Sequence, residues 1–267
     1  MSLSRYWYGF LGIQRREWQR FWLQRARFAT ALVRPLLWLF VFAAGFGLST
    51  GFSIPAALPG SSGYQAYMVP GLCGMVILFN SMQCALSMVY DRELGSMRIL
   101  LVSPLPRPFL LIAKLLAMGT VSVAQSLGFL ALARLADSSI PPAGYLAALP
   151  LLVATSLMLG ATGLLIATWI KQLENFAGLM NFVIFPLFFL SSALYPLSSM
   201  AESNPWLYWL CQVNPFTHAV EAIRHALYLQ WNPLALGVTV VTTCVLALSA
   251  TTGFRPQRTR VLGRVPS

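Results

Sequence analysis

Charge is scarce in this chain of 267 residues: 9% of its side chains are Asp, Glu, Lys or Arg, against about 25% in an ordinary soluble domain. Acid is scarcer still, with seven Asp and Glu against 18 Lys and Arg, and there are only two lysines and two histidines. No charged side chain occurs between Arg34 and Asp91. At 1.5 Å of rise per helical residue, such a stretch is long enough to cross a hydrocarbon core of about 30 Å twice. These shortages, with 57% apolar residues and a mean hydropathy of +0.68, exclude a soluble globular enzyme and indicate a multi-pass membrane protein.

Other absences narrow the chemistry. The cysteines Cys73, Cys84, Cys211 and Cys244 form no C-x-x-C pair, so no disulfide framework or metal knuckle is indicated. Four buried thiols are expected. No G-x-x-x-x-G-K-[ST] occurs, and Lys114 and Lys171 follow no glycine-rich turn, so the chain has no phosphate-cradling loop and does not hydrolyse ATP by itself. The almost charge-free spans argue against an ion-coupled carrier, which normally needs carboxylates inside the membrane. Nor is the start a cleavable signal, since seven arginines precede the first long apolar run.

What is present is a series of apolar runs at about 32–50, 67–90, 108–133, 145–169, 176–195 and 234–253. Each is long enough to span, which predicts six transmembrane helices in an all-α membrane protein. Fifteen of the 18 basic residues fall on one side of that pattern: the N-terminal arm, the 91–107 loop, Lys171 and the tail. Arg134 and Arg224 fall on the other, and Lys114 is expected to snorkel from within helix three. By the positive-inside rule both termini are cytoplasmic, and the net charge of +11 finds its partner in anionic lipid headgroups rather than nucleic acid.

The arm, residues 1–31, interleaves Arg15, Arg16, Arg20, Arg25 and Arg27 with Trp7, Phe10, Leu11, Trp18, Phe21 and Trp22, which suits an interfacial helix. In the 91–107 loop Leu94, Met97 and Leu101 recur at i, i+3 and i+7, predicting a short amphipathic helix stopped by Pro104. Its apolar stripe would either lie on the lipid surface or plug a groove on a cytoplasmic partner, where Arg92, Glu93 and Arg98 would set the register. Between Pro196 and Pro233, three Asn-Pro pairs at 204–205, 214–215 and 232–233 mark helix starts or stops, so this segment is too interrupted to be one span. From Pro215 one stripe is apolar, while His218, Glu221, Arg224, His225 and Tyr228 fill the other side, as in a helix at the membrane boundary. Glu221 can reach His218, Arg224 and His225 at helical spacing.

Three of these motifs, in order, resemble the ABC transporter type-2 permeases, the exporters of polysaccharides, lipo-oligosaccharides and drugs. They are Tyr67-Met-Val-Pro70-Gly71, then Arg92-Glu93-x-Gly95-Ser96-x-x-x-Leu100-Leu101-x-Ser103-Pro104, and Asn214-Pro215 followed by Glu221-x-x-Arg224. Ser96 stands where Thr is usual. The resemblance covers most of the chain and implies one transmembrane domain over 1–267. It further implies a coupling segment carried by Arg92, Glu93, Gly95, Ser96, Leu100, Leu101 and Pro104, seated on a separate ATP-binding subunit that carries ATP and Mg. Re-entrant helices in the 196–233 segment would line the exit, with Asn214, Pro215, His218, Glu221 and Arg224 as the outer gate. Implied partners are that ATP-binding subunit, a second copy of the chain or a paralogous permease, and membrane lipids. The expected place is a bacterial inner membrane and the expected cargo a hydrophobic or amphiphilic compound moved outward. No catalytic residue, metal site or cofactor in the chain itself is expected.

Three other readings are weaker. Gly60-Ser-Ser-Gly63 matches the G-x-S-G of rhomboid-type proteases, but the only histidines lie far along the chain, out of reach of a nucleophile in this loop. Met68, Met75 and Met82 could form a copper ladder, yet seven-residue spacing is what any packing seam produces. A non-transporting membrane scaffold is the third.

Overall fold

The computed structural model describes residues 3–47, 63–95, 105–136, 140–170 and 172–253. Within them the fold is entirely helical: α1 (Leu3–Leu23), α2 (Arg25–Gly47), α3 (Gly63–Glu93), α4 (Arg107–Ala136), α5 (Pro142–Trp169), α6 (Leu173–Phe189), α7 (Leu197–Ser203), α8 (Pro205–Val213), α9 (Pro215–Leu227) and α10 (Pro233–Gly253). Four stretches are long and apolar enough to cross a membrane: Ala66–Glu93, Arg107–Leu135, Pro142–Trp169 and Pro233–Thr251. The other two expected spans correspond to shorter apolar helices, Ala29–Phe42 and Leu173–Phe189. At 17 residues α6 is about 25 Å long, a little less than a hydrocarbon core.

Proline sets most of the boundaries. Pro142, Pro205 and Pro215 each stand in the first turn of a helix, where the missing N–H is one that no helical carbonyl would have used. The Asn before two of them is the cap. Asn204 Oδ1 accepts from the backbone N–H of Trp206 at 3.1 Å, and Asn214 Oδ1 from that of Phe216 at 3.0 Å. Asn232 Oδ1 accepts from Ala235 N at 3.0 Å in the same manner. All three Asn-Pro pairs are helix starts, each cap contributing about 1 kcal/mol.

The central helix is α3, packed against α2, α4, α5, α6 and α9, while α5 in turn packs against α4, α9 and α10. Met68, Met75 and Met82 lie in the apolar core along α3, as packing residues. Small residues allow the tightest approaches: a Cβ added at Gly71 would be driven into the Ala193 carbonyl, and one at Gly144 into the Leu227 carbonyl. By contrast α10 is apolar yet mostly uncovered, with Leu234, Val240, Val241, Val245 and Leu248 exposed. Such a face is stable only against another apolar phase.

The structure corrects several expectations. Helix α1 is not merely laid along a lipid surface: it packs on α4, with Tyr6 edge-on to Phe109 at 5.0 Å and Trp18 Nε1 donating to Thr120 Oγ1 at 3.3 Å. It ends at Leu23, and the chain turns at Gln24 into α2, so the arm is shorter than residues 1–31. Asp91, Arg92 and Glu93 close α3 rather than opening a separate helix. Cys244 is exposed and Cys84 half-buried, so only Cys73 and Cys211 are buried thiols; none of the four is in a disulfide. The Gly60–Gly63 match and the 96–104 part of the loop fall largely outside the described residues.

Candidate functional site

Two polar clusters stand at opposite ends of α3. Tyr67 and Asp91, one in each, are 24 residues apart in the sequence, about 36 Å along the helix.

The first is built on Arg224 of α9, which is 1% exposed. Its guanidinium carbon sits 3.8 Å from the centroid of the Tyr67 ring. One amino group donates to the Ser192 carbonyl at 2.8 Å, and the other pairs with Glu221 one turn back. Tyr67 is fixed in turn: its hydroxyl donates to the carbonyls of Ser192 at 2.8 Å and Tyr195 at 2.9 Å. Tyr228 donates to the Ala66 carbonyl at 3.1 Å, and Tyr64 to Leu194 at 3.2 Å. Asn214 works at both ends of its amide, capping α9 while its Nδ2 donates to the carbonyls of Leu187 at 2.8 Å and Leu190 at 2.6 Å, which close α6. Thus the start of α3, the 190–195 turn and α9 form one hydrogen-bonded block. Burying an arginine is tolerable only because it is both paired and hydrogen-bonded.

Helix α9 is buried on its apolar stripe and also at Arg224 and Tyr228, which meet α3, while His218, Glu221 and His225 on the same side are half-buried. His218 does not join Glu221: its Nε2 lies 2.9 Å from the Gln212 carbonyl. His225 does approach, at 3.7 Å from Glu221 Oε2. Burial pushes the Glu221 carboxyl up, but Arg224 and, to a lesser extent, His225 outweigh that and hold it below its ordinary value. Trp206, Trp209 and Trp231 remain exposed around the block.

The second cluster centres on Asp91, 2% exposed at the last turn of α3. Arg20 grips it with both amino groups, at 2.5 and 3.1 Å. Arg16 adds a contact at 3.2 Å, and Lys114 of α4 one at 3.4 Å. Lys114 also faces Glu17 at 3.9 Å. The hydrogen bond to Asp91 holds the Arg20 guanidinium above its usual pKa in spite of partial burial. Lys114 therefore does not snorkel; it is buried and paired. This cluster joins α1, α3 and α4, and sequence reasoning missed it. The available signal was that Glu17 is the only acid among the first 90 residues and Asp91 the next.

Of the residues expected to couple, Arg92, Glu93 and Gly95 lie in described structure, and Ser96, Leu100, Leu101 and Pro104 lie outside it. Arg92 Nη1 reaches the Ile170 carbonyl at 3.4 Å, and Glu93 Oε1 accepts from the Leu173 N–H at 2.9 Å. These two reach the break between α5 and α6, Arg92 half-buried and Glu93 still exposed. A carboxylate at a helix start suits both the free N–H groups and the dipole there. Gly95 has φ +70, the left-handed conformation that ends a helix cheaply only when the residue is glycine. The Arg-Glu-x-Gly stretch thus stops α3 and ties its end to the start of α6. No group of three or more His, Cys, Asp and Glu that could hold a metal occurs among the described residues.

Comparison with known proteins gives a consistent picture. The model of the ABC-2 type transporter family matches residues 8–228, from α1 to the end of α9. The chain is 26% identical over 232 residues to a protein of Porphyra purpurea named as the transport permease ycf38, covering 81% of this chain and 77% of that one. With a protein of Escherichia coli K12 named as the multidrug ABC transporter permease YbhR it shares 32% identity over 200 residues, 71% of this chain and 50% of the relative.

Proposed function

The chain belongs to the ABC-2 type transporter family, and from that premise we propose that it is the permease subunit of an ATP-driven exporter, hydrolysis residing on a separate ATP-binding subunit. Family membership makes it a multi-pass membrane permease of an ABC transporter; the cargo, direction and partners are the proposal. The observation that carries the reading is α3 itself. It runs from the Arg224 block to the Asp91 cluster and ends at Gly95, where the 96–104 segment begins. A helix fixed at one end by hydrogen bonds and the Arg224 contact on Tyr67, and at the other by the Asp91 ion pairs, is suited to passing a displacement of that segment to the far end of the bundle.

In this reading α2 and α6 complete six spans, and both termini lie on the cytoplasmic side with the basic loops. The 91–104 segment seats in a cleft of the ATP-binding subunit, through Arg92, Glu93, Gly95, Ser96, Leu100, Leu101 and Pro104. Asn214, Pro215, His218, Glu221 and Arg224 shape the outer end of the path, with α7 to α9 as the re-entrant or interfacial helices there. The membrane is a bacterial inner membrane. Two copies, or this chain and a paralogue, enclose the path, because one bundle whose core is filled by methionine and leucine leaves little room for a bulky molecule. The cargo is a hydrophobic or amphiphilic compound such as a lipid-linked saccharide, a lipid or a drug-like molecule, a class the relative named as a multidrug permease also supports.

Gentle purification of the tagged chain, followed by mass spectrometry, tests this. A stoichiometric ATP-binding subunit that is lost in Leu101→Asp but retained in Leu132→Asn, an exposed position on α4, supports the reading. A chain that purifies alone, with flux insensitive to ATP, returns the question to a carrier or scaffold.

A further inference from the structure

Arg34 on α2 is exposed, and its guanidinium carbon lies 4.4 Å from the centroid of the Phe79 ring on α3. Phe79 stands midway between Ala66 and Glu93, the ends of the apolar stretch of that helix, with about 20 Å of helix on either side. The guanidinium is therefore held near the middle of the hydrocarbon core. Among the described residues no carboxylate is within ion-pair distance of it.

Asn181 on α6 is a second exposed polar side chain at this depth. Both helices start at the Asp91 end of α3. Leu173, the first residue of α6, bonds Glu93, and α2 follows Arg20, which holds Asp91. Further along, α2 and α6 meet where the Trp38 ring packs against Phe188 at 6.1 Å and Phe189 at 6.0 Å. Arg34 is one turn before Trp38 and Asn181 two turns before Phe188, so each shares the face that carries this contact. The two lie about 6 and 10 Å below it, and an arginine side chain leaning toward its helix start closes that difference. Below the aromatic contact, then, α2 and α6 carry Arg34 and Asn181 on facing walls of a cleft. Its floor at Phe79, with Thr30 and Gln83 beside it, holds a free volume of about 20 Å³, room for about one water and far too little for a lipid headgroup.

Hydrocarbon solvates neither side chain, and an arginine at the centre of a membrane faces water or a counter-group rather than lipid tails. We propose that this cleft is water-filled in the working assembly and that Arg34, aided by Asn181, sets its charge preference, admitting anionic or acceptor-rich groups and repelling cations. The inference rests on the two-copy path of the preceding section, of which α2 and α6 form a wall. Neither residue belongs to the coupling or outer-gate motifs.

The test uses the full-length chain in membrane fragments open on both faces, with Cys73, Cys84, Cys211 and Cys244 replaced by alanine. Leu37→Cys, at an exposed position one turn after Arg34, and Asn181→Cys are treated with an anionic and a cationic methanethiosulfonate. Val241→Cys, on the uncovered face of α10, is the lipid-facing control. Both cleft positions should react at least ~tenfold faster than the control, because charged reagents do not enter hydrocarbon. Adding Arg34→Gln to Leu37→Cys should lower the ratio of anionic to cationic rates about threefold or more, as expected for a unit charge one helical turn away in screened water. The accessibility arm keeps Arg34 and so does not depend on how Arg34→Gln folds. The proposal is overturned if either cleft position is as inert as Val241→Cys, as it would be when covered by lipid or by the second copy, or if the ratio is unchanged in Arg34→Gln. An inert cleft in a chain that co-purifies with an ATP-binding subunit would overturn this proposal alone. A reactive, charge-selective cleft in a chain that purifies without one would overturn the exporter reading alone.

Discussion

Arg20 and Asp91 are joined by two hydrogen bonds, although one lies on the first helix and the other 71 residues later at the end of α3. Asp91 is 2% exposed, whereas the Arg20 side chain keeps 31% of its surface. The carboxylate is therefore the fixed point, and α1 and α4 are fastened to it by Arg16, Arg20 and Lys114. Removing Asp91 leaves three cations facing one another around Glu17. Removing Arg20 leaves two cations still on the carboxylate.

This asymmetry sets the first prediction. Asp91→Ala should destabilise the detergent-solubilised chain by about 3 kcal/mol, the lower end for a broken buried pair because its arginine partners keep contact with water. Arg20→Ala should cost about 1 kcal/mol. The double variant should fall short of the sum by at least ~0.5 kcal/mol, as expected for residues in one network. Additive thermal shifts in the four-member cycle would mean that the pair is not coupled.

At the other end of α3, Arg224→Lys should not substitute. A lysine keeps the charge but cannot at once lie flat over Tyr67, pair with Glu221 and bond the Ser192 carbonyl. The loss of the desolvated ring contact alone is worth about 2 kcal/mol. Arg224→Ala should be worse, since it leaves the half-buried Glu221 without its arginine, at a cost of about 3 kcal/mol. Melting curves of the purified variants rank the two, and equal stability for Lys and Arg would contradict the stacking role.

The Glu221 carboxyl predicts a pH dependence. Helix α9 lies outside the four spans, and Glu221 faces Arg224 and His225 with Tyr67 across the guanidinium. Its folded pKa is below the ordinary 4.5. Its contribution is therefore complete above 4.5 and is lost as the pH falls through the lower folded value. The Tm difference between the native chain and Glu221→Gln should be constant from pH 7 to about 5 and shrink below 4.5. A difference that grows on acidification would reverse the assignment.

Close helix contact predicts two opposite glycine responses. Gly71→Ala forces a methyl into the Ala193 carbonyl, and no flexible side chain is there to move aside. A loss of at least ~2 kcal/mol is expected, in the range of overpacked sites. Gly178 on α6 and Gly237 on α10 have nothing within 4 Å of an added Cβ, so Ala there should be neutral or stabilising by about 0.5–1 kcal/mol. Thermal stability of the three single variants is the check.

Much of this was legible in the chain. Scarcity of charge announced the membrane, and the three Asn-Pro pairs marked helix starts or stops, all of which the structure makes starts, because capping and the proline ring act within a few residues. The Glu221–Arg224 pair was readable for the same reason, being one helical turn apart. Two expectations failed where the answer depended on a distant neighbour. Lys114 was expected to snorkel, and Arg224 to sit on a polar boundary face; both are buried because Asp91 and Tyr67 come from elsewhere to meet them. Cys244 was expected inside and is outside, since an apolar helix gives no periodic signal of which face its neighbours cover.

The sequence alone determined the all-helical membrane character, the helix starts at the Asn-Pro pairs and the family motifs. Each depends on local hydrophobicity, caps or short spacings. Only the tertiary structure decided that the Tyr67 motif and the Glu221–Arg224 motif form one block and that Asp91 fastens the first helix. Those relationships join residues from about 30 to about 160 positions apart. Burial in a low-dielectric interior makes them strong, and the chain's local pattern carries no record of which partners the packing brings together.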